Sequence, residues 1–274
     1  MKKKNIRAIA LSVLFSSIGF VISFLIKKQL NIDLSKLELS IIAFILTTLS
    51  TFLLFPKVFK IPFGKLSITD FIYKIGLYPS KKIFGFILIG VVAALTTLSA
   101  MLIGSIITGR YEFDSSTINL AHAIFSLTPG IFEEVFYRGI IMIVLVRMTN
   151  SLKKAAIIQV LIFALAHIKG FDFFSIVDVF SVMIIAIGFT YLAYKTNSLI
   201  PGIVFHYLHD TFLFSVQIPG GEYIGFRDNV FFYSILWLSI GVLIVITKQL
   251  SEKYHIMNKY NFYKEEYTEA QHLV

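Results

Sequence analysis

Cysteine is absent from the 274 residues, which excludes disulfides, thiolate metal sites and a thiol nucleophile. Charge is scarce as well. Only 15% of the residues are Asp, Glu, Lys or Arg, where a soluble domain carries about 25%. No G-x-S-x-G is present, so the serines lack the setting of a hydrolase nucleophile. No H-E-x-x-H is present either, so a metal would have to be held by residues from separate segments. Internal repeats, low-complexity tracts and a second domain are also missing. The net charge of +9 is scattered over short segments between apolar blocks. That distribution argues against a nucleic-acid partner and points to anionic lipid and membrane topology.

What the chain has is apolar length. Hydrophobic residues make up 57% of it, gathered into blocks at about 8–26, 39–59, 83–108, 119–147, 154–169, 173–194, 198–217 and 230–248. Most can cross the ~30 Å of a bilayer's hydrocarbon; the fifth is short for a span. The block at 8–26 follows "MKKKNIR" like a signal peptide. It is too long for that role, lacks an A-x-A cleavage site and ends on Lys27 and Lys28, which predicts an uncleaved first span. The expected fold is all-α, a polytopic membrane bundle of about eight transmembrane helices. An integral membrane domain over 1–250 precedes a tail, 251–274, expected to be solvated in the cytoplasm. Within the basic loop 57–82, Ile68, Phe71, Ile72 and Ile75 share one helical face, which predicts a segment lying flat on the membrane.

Eight spans put both termini on one side. Loops on that side hold 18 Lys and Arg, the opposite loops hold 6, and Arg138 lies within the membrane. The positive-inside rule assigns the richer side to the cytoplasm. The expected location is therefore the cell membrane, multi-pass. Lysine outnumbers arginine 20 to 5, a bias that fits an AT-rich bacterial genome.

The segment "GIFEEVFYRG" places Glu133, Glu134 and Arg138 inside the fourth apolar block. On the insertion scale three central charges cost roughly 8–10 kcal/mol, while the 14 Leu, Ile, Val and Phe of this block return about 4–8. The helix is marginal alone and needs partners. Glu134 and Arg138 are one turn apart and can form a structural ion pair. Glu133 projects about 100° away without that cation. Intramembrane ionisable groups are functional by default, and two other spans carry more of them: "FALAHIKG" with His167, and "SLIPGIVFHYLHD" with His206, His209 and Asp210. Counted from the cytoplasmic ends at 1.5 Å per residue, Glu133 lies about 21 Å deep and His167 about 20 Å. His206 and Asp210 lie about 12 and 18 Å deep. The four groups can meet in one layer. Pro129, one turn before the glutamates, is expected to open the fourth helix there, and Pro201 suits a first helical turn.

These segments carry a resemblance. Glu133-Glu134-x-x-x-Arg138, Phe163-x-x-x-His167 and His206-x-x-x-Asp210, in that order on separate helices, resemble the motifs of the CPBP family. That family comprises CAAX-type prenyl proteases and bacteriocin-processing or immunity proteins (Abi). The likeness covers roughly 119–217. It implies an intramembrane endopeptidase in which Glu133 and His167 activate water, while His206 and Asp210 bind the oxyanion or a metal. The last position is commonly Asn in the prenyl proteases; an ionised Asp210 cannot donate to an oxyanion, but it can ligate a metal or orient His206. Peptide hydrolysis itself needs a base for water and a donor for the oxyanion. Alternatively, Glu133, His167, His206 and Asp210 could hold one divalent ion such as zinc.

His209 is better read as a helix contact, Asp178 as a helix-pairing residue and His122 as interfacial. Two further function classes stay open. One is a non-catalytic membrane scaffold or bacteriocin self-immunity factor; the other is a transporter using the carboxylates as ion sites. The substrate implied for the protease is a membrane-associated or hydrophobic peptide. The charge count makes a first test: reporter fusions after Lys60 and Ser151 should be cytoplasmic and one after Glu112 external, and an external signal at Ser151 would overturn the orientation.

Overall fold

The computed structural model describes residues 6–7, 10–11, 35–57, 67–77, 81–109, 112–113, 119–168, 170–213, 216–217, 226–257 and 263. The expected first span at 8–26 lies almost wholly outside these residues. Helix α1, Lys36–Leu49, starts at a capping box in which Ser35 and Glu38 satisfy each other's backbone donors. It runs on through a π-helical turn, Ser50–Leu54. A second Ser67/Asp70 box opens α2, Ile68–Lys74. Helix α3 spans Ile83–Thr108 and stops where Gly109 takes φ +61°, a left-handed conformation that glycine adopts without a Cβ clash.

Helix α4, Leu120–Glu133, continues into a π-helical segment, Glu134–Ile141, and then α5, Met142–Thr149. After Asn150 and the N-cap Ser151 come α6, Leu152–Leu165, α7, Phe173–Thr196, α8, Ile200–Leu213, and α9, Phe226–Lys253. The fold is the expected helical bundle. Its one departure among the described residues is a two-residue antiparallel pair, β1 (Glu112–Phe113) with β2 (Val216–Gln217).

Four helices, 37–57, 83–108, 175–196 and 230–253, are long and apolar enough to cross a membrane. Large apolar side chains stand on the outside, including Phe84 at 81% exposure and Ile106 at 80%, a surface that lipid accepts and water does not. By contrast, α6 and α8 have 14 residues each, about 21 Å, and fall short of the hydrocarbon thickness. Helix α8 packs against α3, α4 and α7, so its short length is enclosed by longer neighbours.

Three expectations are corrected. The helix does not open at Pro129, which lies inside α4; the irregularity comes one turn later as the widened turn at Glu134. Segment α2 does not simply rest on lipid, because Phe71 and Ile75 are fully buried in a cluster with Phe55, Phe132 and Phe136. The tail beyond residue 250 is not wholly solvated: Ser251, Ile256 and Tyr263 are buried.

Close helix contact depends on particular glycines. A Cβ on Gly90 of α3 would lie 2.7 Å from the Pro201 carbonyl of α8, while one on Gly241 meets nothing within 4 Å. Gly90→Ala is therefore expected to cost about 1–3 kcal/mol through overpacking and Gly241→Ala nothing comparable, read as thermal unfolding in detergent. Equal stability of the two variants would refute this close α3–α8 packing.

Candidate active site

The π-helical turn at Glu134–Ile141 begins between the two glutamates, with Glu133 the last residue of α4. Every residue in it is buried, and Glu134 and Arg138 are both at 0% exposure. Arg138 Nη1 donates to Glu134 Oε1 at 3.0 Å. Its guanidinium carbon lies 4.2 Å from the Phe163 ring centroid and 4.9 Å from that of Phe189. Desolvated cation–π contacts of this kind contribute about 2 kcal/mol each. Arg138 is thus held by one carboxylate and two aromatic faces. Its Nε and Nη2 have no hydrogen-bond partner among the described residues.

Glu134 does a second thing. The same Oε1 accepts from His206 Nδ1 at 3.0 Å, so one buried oxygen joins the arginine of the bulge to the histidine of α8. The other oxygen, Oε2, faces a notch made by Gly202, where a Cβ would stand 2.9 Å away. That explains the glycine after Pro201 in physical terms: any side chain there would displace Glu134. His206 is also set by ring contact with Phe189, centroids 4.6 Å apart.

His167 sits in the turn after α6, beyond its last helical residue Leu165. Its Nδ1 is 2.8 Å from the Phe163 carbonyl. A carbonyl only accepts, so Nδ1 carries the proton and Nε2 is left to act elsewhere. Phe163 therefore orients His167 through its backbone and covers Arg138 with its ring.

Both free imidazole nitrogens face the same atom. His167 Nε2 is 3.9 Å and His206 Nε2 3.8 Å from Glu133 Oε2, and Asp210 Oδ2 is 3.5 Å from His206 Nε2. Glu133 Oε2 is buried and has no hydrogen-bond partner among the described residues. Gaps of this size are too long for good direct bonds, but one small oxygen placed between the groups would reach Glu133 and an imidazole together. His167 and Glu133 are only partly covered, at 32% and 18% side-chain exposure, whereas His206 lies at 7%. The centre is dry on the Glu134 side and open on the His167 side.

The structure thus gathers Glu133, Glu134, Arg138, His167, His206 and Asp210. It does not gather His209, whose Nδ1 points instead to Thr97 Oγ1 at 3.3 Å on α3. Asp178 accepts from the Tyr233 hydroxyl at 2.7 Å, a link between α7 and α9. The zinc alternative finds no support: among the described residues no three His, Asp or Glu side chains form a group able to hold a metal ion. Two contributors escaped the sequence. Gly202 was signalled only by the Pro-Gly pair. Phe189 is one of 28 phenylalanines, and nothing in its span marks it out.

Residues 115–212 match the family model described as Type II CAAX prenyl endopeptidase Rce1-like, the family to which the three motifs pointed. The match covers less than half of the chain and contains every residue of the cluster. Neither a curated protein nor a solved structure matches the chain.

Because Glu134 serves two cations or donors at once, Glu134→Gln is expected to leave Arg138 charged and unbalanced. Removing one partner of a buried pair costs roughly 3–5 kcal/mol, visible as a lower unfolding temperature in detergent. Gly202→Ala should shift stability in the same direction by less. A Glu134→Gln protein as stable as the wild type would mean that Arg138 is compensated elsewhere.

Proposed function

We propose, taking the endopeptidase family of segment 115–212 as premise, that this membrane protein hydrolyses a peptide bond in a membrane-associated or hydrophobic peptide or protein. The observation that carries the reading is the buried, unpartnered Oε2 of Glu133, faced by one nitrogen of each of two histidines. A carboxylate left without a donor in a low-dielectric interior is costly. It becomes intelligible if a water occupies the gap and Glu133 is its base.

In this reading Glu133 and His167 bind the water between Oε2 and Nε2. Glu133 takes a proton as the water oxygen attacks the scissile carbonyl carbon, forming a C–O bond and a tetrahedral oxyanion. His206 donates to that oxyanion from Nε2 while Nδ1 donates to Glu134; donation at both nitrogens makes it an imidazolium. Asp210, at 3.5 Å, holds His206 in that form before substrate arrives. Collapse of the intermediate breaks the C–N bond, and the proton held by Glu133 goes to the leaving nitrogen. Asp210 thus supports the oxyanion through His206, which meets the objection that an ionised carboxylate cannot donate. Glu134 and Arg138 position His206 without touching substrate. No step requires a metal.

Both termini in the cytoplasm remain part of this reading, on the charge count given above. The competing scaffold or immunity reading would require the cluster only as a helix clamp, which leaves the orphaned oxygen of Glu133 without a purpose.

The test is a set of near-isosteric variants, purified in detergent and assayed on a hydrophobic peptide. Glu133→Gln should unfold at the wild-type temperature and lose turnover by at least about 100-fold, the scale of a general base. His167→Ala and His206→Ala should also be inactive while still accumulating in membranes. Normal cleavage by a well-expressed double histidine variant would place the chain in the scaffold class. Wild-type activity should survive exhaustive chelation; loss on chelation that zinc reverses would instead make the four residues metal ligands.

A further inference from the structure

A widened helical turn leaves a backbone acceptor behind. At the end of the π-helical segment the Met142 N–H reaches back five residues to the Tyr137 carbonyl. Helix α5 then resumes four-residue spacing, and a return of this kind passes over one carbonyl. The carbonyl following that of Tyr137 belongs to Arg138, and it accepts from the Tyr263 hydroxyl at 3.0 Å. Tyr263 lies 125 residues further on, outside the segment that matches the family model. It is fully buried, in the same cluster as Phe71, Ile75, Ile140 and Ile141. Burial pushes its hydroxyl up, away from ionisation, so it remains a donor.

The chain leading toward it is also fastened. Lys195 pairs with Glu252 at 2.6 Å, and Lys82 Nζ donates to the carbonyls of His255 and Met257. Ile256 fills the space that a Cβ on Gly85 would need, 2.9 Å away. The Lys195–Glu252 pair in the last turn of α9 and two contacts beyond that helix hold residues 252–257 against the bundle.

We infer that Tyr263 is a positioning residue for the site: by capping the Arg138 carbonyl it fixes the bulge from which Glu134 reaches His206. Arg138 is the residue whose backbone takes the tyrosine and whose side chain holds Glu134, so a shift at one is felt at the other. The kinetic consequence rests on the endopeptidase reading; the structural consequence at His206 does not.

The experiment uses the full chain in detergent with Tyr263→Phe, which keeps the ring and removes the donor. Tyr254→Phe, at an exposed position, is the control. Two quantities are read: kcat and KM on a hydrophobic peptide, and the imidazole ¹⁵N signal of His206, assigned by its loss in His206→Asn. Tyr263→Phe should keep KM within about twofold, lower kcat about tenfold and shift the His206 signal. Tyr254→Phe should change none of these. Wild-type kcat together with an unshifted His206 signal would overturn the assignment. So would an unfolded Tyr263→Phe protein, which would make the tyrosine merely structural. If the wild type cleaves nothing, the endopeptidase reading fails, and the His206 signal alone decides the role of Tyr263.

Discussion

One oxygen atom organises this molecule. Glu134 Oε1 accepts from Arg138 and from His206 at 3.0 Å each, in a place where neither charge could stand alone. Burying an arginine and a glutamate without each other costs several kcal/mol per ion. The surrounding elements read as responses to that constraint. Phe163 and Phe189 cover the guanidinium, Gly202 makes room for the carboxylate, and the widened turn brings the whole set into line. The helix that carries them is marginal in lipid by itself, and its neighbours make it stable by enclosing its charges.

From that arrangement the open side of the cluster follows by geometry. With Nδ1 of His206 committed to Glu134 and Nδ1 of His167 committed to the Phe163 carbonyl, the two Nε2 atoms are left facing Glu133. Neighbouring residues in sequence thereby differ: Glu134 is fully buried and holds two donors through Oε1, while Glu133 is partly exposed and faces two imidazoles; the Oε2 of each lacks a hydrogen-bond partner among the described residues. The boundary between α-helical and π-helical spacing falls between them.

Much of this was legible in the sequence, and for a definite reason. Charges in apolar blocks are so costly that each one is a signal, so Glu133, His167, His206 and Asp210 stood out and their depths could be compared. The i, i+4 pairing of Glu134 with Arg138 was equally plain. The link from Glu134 to His206 was not, because it joins α8 to a bulge that periodicity cannot reveal. Pro129 misled as well: a proline inside a helix removes a donor and crowds the preceding turn, yet α4 passes through it. Phe189 was silent because an aromatic against a cation looks like any core residue. The tail was misread because three buried residues, Ser251, Ile256 and Tyr263, sit among polar neighbours that dominate its composition.

The two short helices have a consequence for the membrane itself. Helices α6 and α8 reach about 21 Å, so roughly a third of the ~30 Å hydrocarbon depth is left unmatched along them. Lipids beside α6, whose Ile157, Leu161 and Leu165 face outward, must shorten, tilt or splay to meet that edge. Such an edge favours a thinner bilayer over a thicker one, because added thickness widens the mismatch that the lipids beside it must absorb.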